Sequence, residues 1–494
     1  MPTVHWPIIR RCLSRPKRIF TIDDNRQYRG IDVVGGMLHI AGLLAGVCGT
    51  ETVGVLLPTG GGFGACALAA WWLGKTVVPL NYLLKKEELQ YVINDCGTDT
   101  ILTAGPMLTH LGYEPQVKNL IALDKAGLKG VPTPTWPRAK REDDLAVLLY
   151  TSGTSGNPKG VMLTHANLRS NIEQISAWVD FSPGDRILGV LPQFHSFGMT
   201  VLTLLPLTFG IKTVYSARFV PSKILRLIRD HHPTIMIAIP SMYNALLTLK
   251  DMSREDFASL RYVVSGGEPL PEAVFNAYRE RFGVTINEGY GLTETSPVSN
   301  WCRPQEWRPR SVGMPLPKID QRIIDPNTGQ IVRRGAEGEV QMRGPNIMKG
   351  YFNLPKETAA AFTDDGYFRT GDIGRFDADG HLAITGRLKE MLIIGGENVF
   401  PREIEEVLDQ HESVHASGVI GVTDPMRGEQ PLAFIELKEG AAFDERALLN
   451  WCRARLAGYK VPREIRNLEK LPRNPTGKIM RRELKKIVAV PVAP

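Results

Sequence analysis

The 494-residue sequence has too few and too scattered cysteines for a disulfide framework or a zinc site. Cys12, Cys48, Cys66, Cys96, Cys302 and Cys452 form no CxxC pair and no His/Cys cluster. Thiols spread in this way fit a reducing compartment. Long apolar runs are also missing. The longest, 197–211, is too short to cross a bilayer and contains Pro206. Residues 1–20 carry Arg10, Arg11, Arg15, Lys17 and Arg18, but no apolar core follows, so no secretory signal is read. The expected location is cytoplasmic, with peripheral membrane contact at most. Repeats and low-complexity tracts are absent. Charge of either sign is not extreme: net +7, with 22% charged and 43% hydrophobic residues. That profile excludes disordered and fibrous classes and gives no reason to expect a nucleic-acid partner. The mild basic excess is compatible with small anionic partners or a membrane surface, and equally with an ordinary solvated face.

What is present is α/β texture. Short β-branched runs at 52–58, 75–80, 145–149, 186–191, 211–216, 234–239, 260–264 and 284–287 alternate with helical stretches at 64–73, 221–230, 241–249 and 271–282. Alternation of this kind predicts parallel βαβ units. The run 197–211 reads as a buried strand–helix segment. After about Ser311, Gly, Pro and Asp punctuate short alternating strands such as 338–342 and 381–384, the texture of an antiparallel, barrel-like part. From Glu390 a compact α+β pattern begins, with an amphipathic helix at 401–411 and strands at 416–421 and 432–437. The predicted organisation is a large N-terminal domain, 1–387, and a smaller α+β lid domain, 388–494.

The first chemical signal follows the apolar strand at 145–149. It reads Tyr150-Thr151-Ser152-Gly153-Thr154-Ser155-Gly156-Asn157-Pro158-Lys159-Gly160. Glycines let backbone N–H groups turn toward a ligand, hydroxyls add donors, and the lysine supplies charge, so the segment is suited to polyphosphate. It is not a Walker loop, because Pro158 stands where the glycine before the lysine belongs.

Together with four later segments, this loop resembles the adenylate-forming superfamily of acyl-CoA synthetases, luciferase and peptide-synthetase adenylation domains. The four are Gly289-Tyr290-Gly291-Leu292-Thr293-Glu294, then 367–372, 386–401 and 472–481. They occur in the family's order across nearly the whole chain. The resemblance implies ATP and Mg²⁺ as cofactors, CoA as co-substrate, and a carboxylic acid activated as its acyl-adenylate.

Carried over residue by residue, the resemblance places Thr151, Ser152, Gly153, Thr154 and Lys159 on the ATP phosphates. Thr293 would contact the α-phosphate and Glu294 would hold Mg²⁺, a hard cation that prefers carboxylate oxygen. Gly267, Glu268 and Pro269, in Ser265-Gly266-Gly267-Glu268-Pro269, with Glu288, Gly289 and Tyr290, would wall the adenine. Asp372 would accept the ribose hydroxyls, with Arg387 beside it. Lys478, in Asn474-Pro475-Thr476-Gly477-Lys478, resembles the lid lysine that bridges the carboxylate and the α-phosphate as negative charge builds. His195, in Pro192-Gln193-Phe194-His195-Ser196-Phe197-Gly198, falls where the carboxylate enters. Phe197, Tyr243, Gly291, Pro297 and Val298 would line the acyl pocket. Gly395, Gly396 and Glu397 would line a pantetheine tunnel, and Lys389 matches the hinge between two poses of the lid.

These assignments lead to acid:CoA ligase chemistry with a medium- or long-chain fatty acid. Two alternatives share the first step. Transfer to acyl carrier protein is favoured by the Phe194–Gly198 sequence, which looks close to acyl-acyl carrier protein synthetases; the other is an aryl acid:CoA ligase. A silent nucleotide-binding protein is disfavoured because Glu294 and Lys478 are both retained.

Overall fold

The computed structural model describes residues 3–128, 130–151, 157–182, 184–394, 397–424, 428–473 and 479–489. Among them, three sheets build the N-terminal domain and one builds the C-terminal domain. The largest has nine strands. Its parallel centre runs Asn287–Gly291, Tyr262–Ser265, Ile235–Ala238, Arg186–Gly189, Lys212–Tyr215, Ile19–Ile22. Antiparallel strands Val298–Trp301 and Gln27–Arg29 flank that centre. The second sheet has seven strands around Leu145–Thr151, Thr76–Pro79, Thr52–Val55, Thr100–Thr103 and Asn119–Ala122, all parallel.

The central strands carry no polar alternation because helices cover both faces. All four residues of Ile235–Ala238 and of Thr100–Thr103 are buried. Several of the helices between them end where the sequence provides a left-handed residue. Pro221–His231 opens on proline, buries Ile224, Leu225 and Ile228, and stops at His232, φ +45°.

Several elements differ from the sequence expectation. Residues 197–209 are helical, as Ser196–Met199, a π turn Thr200–Leu204 and Leu205–Phe209, closed by Gly210 at φ +71°. The strand expected at 284–287 lies at Asn287–Gly291, so the pocket-wall motif is itself a strand. Lys159–Thr164 is a strand paired antiparallel to Leu145–Thr151. The barrel-like part is an open antiparallel sheet of four strands, Asp320–Ile324, Gly338–Arg343, Phe368–Phe376 and Leu382–Arg387. Four strands are too few to close on themselves. Finally, Gly30–Val47 is the one described helix long and apolar enough to cross a membrane by length and composition. Its face of Val33, Val34, Met37, Ile40, Ala41 and Leu44 is packed in the main core.

The C-terminal domain packs helices Pro401–Asp409 and Glu445–Arg453 on a five-stranded sheet. Asp409 closes the first helix and accepts a hydrogen bond from Ser417 Oγ at 2.7 Å. Burial first, with Glu405 and Glu406 adding to it, pushes this carboxyl from 3.8 up to about 7. Between those values the folded chain keeps a proton that the unfolded chain has released, so stability falls as pH rises through the window. Asp409→Asn keeps an acceptor for Ser417 and cannot ionise. It is expected to be more stable than the parent at pH 8 by about 1–3 kcal/mol, the difference vanishing toward pH 4. Melting curves at the two pH values check this; an equal effect at both contradicts it.

Candidate active site

The carboxyl ends of the parallel strands face a cleft of about 690 Å³, bounded on its far side by the four-stranded sheet and the domain junction. Open α/β sheets place ligands at this end of their strands. One strand delivers Ser265 and then Gly266 and Gly267, the latter at φ +81°. The next, Asn287–Gly291, runs into the tight turn Thr293–Thr295.

On the phosphate side, the hairpin of the second sheet sets Thr151 opposite Lys159, and both line the cleft. Strand Gly350–Tyr351 pairs with Val161 and Met162, which brings Tyr351 beside Lys159; the lysine Nζ lies 5.5 Å from the Tyr351 ring centre. The Tyr351 hydroxyl donates to Glu294 Oε1 at 2.9 Å. Burial raises the pKa of Glu294. Among the described residues no lysine or arginine pairs with that carboxylate, and no group of three or more metal-ligating side chains occurs. One carboxylate facing a phosphate-sized cleft fits Mg²⁺, which keeps water and substrate oxygens as its other ligands. Tyr351 was not foreseen, because only the pairing of two distant short strands brings it there.

Asp372 is buried, and both of its oxygens are engaged. Oδ1 accepts from Arg387 Nε at 2.9 Å and Oδ2 from the Tyr290 hydroxyl at 2.6 Å. A carboxylate has about four acceptor positions, so two are left over by these partners; Asp372 itself lies just behind Thr370 and Gly371, which line the cleft. Burial, and then the negative charge of Asp372, drives the Tyr290 hydroxyl far above its ordinary pKa, while Asp372 raises that of Arg387.

Gly266, Gly267, Glu268, Gly289 and Tyr290 line the adjoining wall. A Cβ on Gly266 would sit 3.1 Å from the Phe197 ring, so glycine lets that ring close against the strand. Pro269 is exposed beyond the wall. Glu288 stands behind it, accepting from Leu270 N at 3.4 Å. Burial pushes its carboxyl up to about 7, against the opposing pull of Arg402.

Phe197, Gly291, Pro297 and Val298 line the apolar end, joined by Val264 and Trp301. Gly291 is dictated by backbone: a Cβ there would lie 1.8 Å from the Pro297 carbonyl oxygen. Tyr243 is a correction. It is fully buried in a separate core, its hydroxyl donating to Met236 O and Val264 O, and it does not line the cleft. Its ring packs edge-on against Tyr278 instead. His195 does line the cleft; its Nδ1 accepts from Phe197 N at 3.3 Å, and the surrounding protein lowers its pKa, which favours the neutral ring. Ser196 Oγ and Thr293 Oγ1 lie 3.4 Å apart beside it. Lys389 also lines the cleft, whereas Glu397 is exposed on strand Glu397–Val399. Ser152, Gly153, Thr154, Gly395, Gly396 and Lys478 lie outside the described residues.

Buried amides fix this constellation, and no motif reveals them. Asn171 Nδ2 donates to Val298 O at 2.6 Å, while its Oδ1 accepts from Val298 N at 3.1 Å. Asn346 Nδ2 donates to Thr295 O at 2.8 Å, and Met348 N donates to Glu294 O at 2.8 Å. Asn167 Nδ2 donates to Pro345 O and Ile347 O, holding that segment in place. The turn bearing Thr293 and Glu294 is thus anchored from two sides. Helical spacing at 167 and 171 was the available signal, but polar residues at that spacing ordinarily face water.

A lysine and a half-buried carboxylate in the cleft, a doubly bonded aspartate behind its wall and an apolar end suit a nucleotide-dependent acid-activating enzyme. Comparison with known proteins agrees. Residues 15–352 match the model of the AMP-binding enzyme family, and residues 403–478 match that of the AMP-binding enzyme C-terminal domain. A long-chain-fatty-acid–CoA ligase of Bacillus subtilis (strain 168) is 40% identical over 356 residues, 71% of this chain and 63% of its own length. A feruloyl-CoA synthase of an Amycolatopsis species is 34% identical over 454 residues, 90% of each protein. The Bacillus subtilis o-succinylbenzoate CoA synthetase solved with ATP and magnesium ion superimposes with a TM-score of 0.87 at 30% identity, over 97% of this chain and 99% of that one. The chain belongs to the AMP-binding enzyme family, and within it to the AMP-forming acid–CoA ligases.

Replacing Asn171 by leucine keeps the volume and leaves the Val298 N–H and C=O unpaired. Asn171→Leu is expected to lose about 2–4 kcal/mol of stability and to raise KM for the acid more than KM for ATP. Urea melts and steady-state assays check both; unchanged stability with unchanged acid KM contradicts the anchoring role.

Proposed function

We propose that this ligase activates a medium- or long-chain aliphatic acid and transfers the acyl group to CoA. In the first step a carboxylate oxygen attacks the α-phosphorus of ATP. The bond from that phosphorus to the bridging oxygen breaks, and pyrophosphate leaves with the electron pair. In the second, the CoA sulfur attacks the acyl carbon, and AMP departs as the thiol proton is given up. The observation that carries the substrate class is the apolar end of the cleft. Phe197, Val264, Pro297, Val298 and Trp301 line it; the charged lining residues are Lys159, Glu268, Glu294, Glu339, Glu357, Arg369, Arg387 and Lys389, of which Lys159, Glu294, Arg387 and Lys389 belong to the nucleotide and junction side. An uncharged chain is at home against such a wall.

In this reading Lys159 and Thr151 hold the outgoing phosphates, and Thr293 holds the α-phosphate. Asp372 accepts the ribose hydroxyls on the lone pairs that Tyr290 and Arg387 leave open. Bound Mg²⁺ would be held by Glu294 and would supply charge neutralisation to the leaving pyrophosphate. A neutral His195 at the mouth can face the incoming carboxylate without forming a static ion pair. Lys478 neutralises the acid and the α-phosphate as they approach, and Lys389 is the hinge that exchanges the adenylating pose for the thioester-forming one.

A second reading, an aryl acid substrate, is favoured by Trp301. Its indole Nε1 is buried without a hydrogen-bond partner among the described residues, a donor that an oxygen-bearing ring would satisfy. The feruloyl-CoA synthase relative is consistent with that alternative.

Acid-dependent pyrophosphate release across an aliphatic series, ferulate and benzoate separates the two. The expected order places longer aliphatic acids first in kcat/KM; ferulate or benzoate ahead of every aliphatic acid overturns it. CoA and holo-acyl carrier protein run side by side identify the thiol, with CoA expected to be the better acceptor. For the two poses, Lys389→Pro is expected to retain acyl-AMP formation and lose thioester formation, and Lys478→Ala to show the reverse. Single-turnover assays from acid plus ATP, and from pre-made acyl-AMP, check the split. Equal loss of both steps in either variant removes that residue from its role.

A further inference from the structure

We infer that one face of the N-terminal domain, formed by helices His5–Ser14 and Gly30–Val47 with the segment 131–141, docks on an anionic lipid bilayer.

The face is continuous. Ile31 N donates to Pro16 O and Gly30 N to Arg18 O, both at 3.0 Å, which seats the start of the second helix against the basic end of the first. Toward its other end the same helix meets segment 131–141, where a Cβ on Gly42 would lie 2.9 Å from Thr133 Cβ. That segment is held by Trp72, whose Nε1 donates to Thr135 Oγ1 at 3.2 Å and whose carbonyl accepts from Arg138 N at 2.8 Å. The Trp72 ring lies 5.8 Å from that of Trp6 on the first helix, which closes the circuit.

Apolar exposure concentrates here. Trp136 is 85% exposed although both of its flanks are tied down, and Val131 is 92% exposed. Leu13 and Ile31 are 53% and 51% exposed at the opposite end. Only 39% of helix Gly30–Val47 is buried, although it has the composition of a membrane-crossing segment, with Asp32 its single charge. Exposed indole and aliphatic groups on a tethered scaffold suit the boundary between headgroups and acyl chains.

Charge decides the partner. Residues 5–18, 30–47 and 131–141 hold eight lysines and arginines and one carboxylate, Asp32; with a net charge of +7 for the whole chain, the rest carries 0. Lys140 pairs with Glu51 at 3.6 Å and Arg141 with Asp144 at 3.7 Å. Arg10, Arg15, Lys17 and Arg138 make no ion pair among the described residues. A second copy of this chain would present the same cations and be repelled, whereas anionic lipids attract each of them. The core packing of Val33, Met37, Ile40 and Leu44 keeps the helix lying on the surface rather than inserted across it.

The test is flotation of the full-length protein with phosphatidylcholine vesicles, with and without phosphatidylglycerol. The protein is expected to float with the anionic vesicles, to be released by added salt, and to float poorly with neutral ones. Arg15→Glu with Lys17→Glu, and separately Trp136→Ser, are expected to reduce flotation about tenfold, with acid-dependent pyrophosphate release from a soluble acid unchanged as the check on folding. Four results overturn the inference. They are no flotation with anionic vesicles, equal flotation with neutral ones, variants that float like the parent, and sedimentation showing a dimer that Trp136→Ser dissolves.

Discussion

The carboxylate of Asp372 is the tie on which the site depends. It sits on a strand of the four-stranded sheet, accepts from Tyr290 on the nine-stranded sheet, and pairs with Arg387 at the threshold of the C-terminal domain. Two sheets therefore meet on one buried charge, with Arg387 the register neighbour of Asp372 on the adjacent strand. A carboxylate taken out of water is tolerated only when its lone pairs are used. The arrangement uses two, and the residues just before Asp372 on its strand, Thr370 and Gly371, line the cleft.

Glu294 shows the complementary situation. Its partner Tyr351 is neutral, burial pushes its carboxyl upward, and the one described cation that opposes this, Arg387, acts without an ion pair. A charge left short in this way favours the arrival of a hard cation, and phosphates come with such a cation. Lys159 stands on the other side of the same tyrosine. Phosphate, metal and carboxylate chemistry thus share one small wall. The buried amides of Asn167, Asn171 and Asn346 hold that wall, because they hydrogen-bond the backbone of Thr295 and of the segments on either side of it.

The sequence carried the chemistry better than the packing. Glycine- and hydroxyl-rich stretches after apolar strands are local signals, and the strands at 52, 76, 145, 186, 235 and 262 begin within two residues of where periodicity places them. What stayed illegible depends on long-range contacts. Tyr351 reaches Glu294 only through pairing with a strand almost two hundred residues earlier. Tyr243 looks like a pocket aromatic in sequence, yet its hydroxyl is spent on two strand carbonyls. Asn171 reads as a surface position until its helix is docked. The helix Gly30–Val47 was passed over because its glycines and one histidine interrupt the apolar run.

The account's central claim is that the acid's own oxygen becomes bonded to the α-phosphorus. Turnover of a carboxylic acid labelled with ¹⁸O in its carboxylate, followed by mass analysis of the nucleotide and phosphate products, tests it directly. The account predicts one labelled oxygen in AMP and none in pyrophosphate. Label in inorganic phosphate with ADP as the nucleotide product, or AMP free of label, would contradict it.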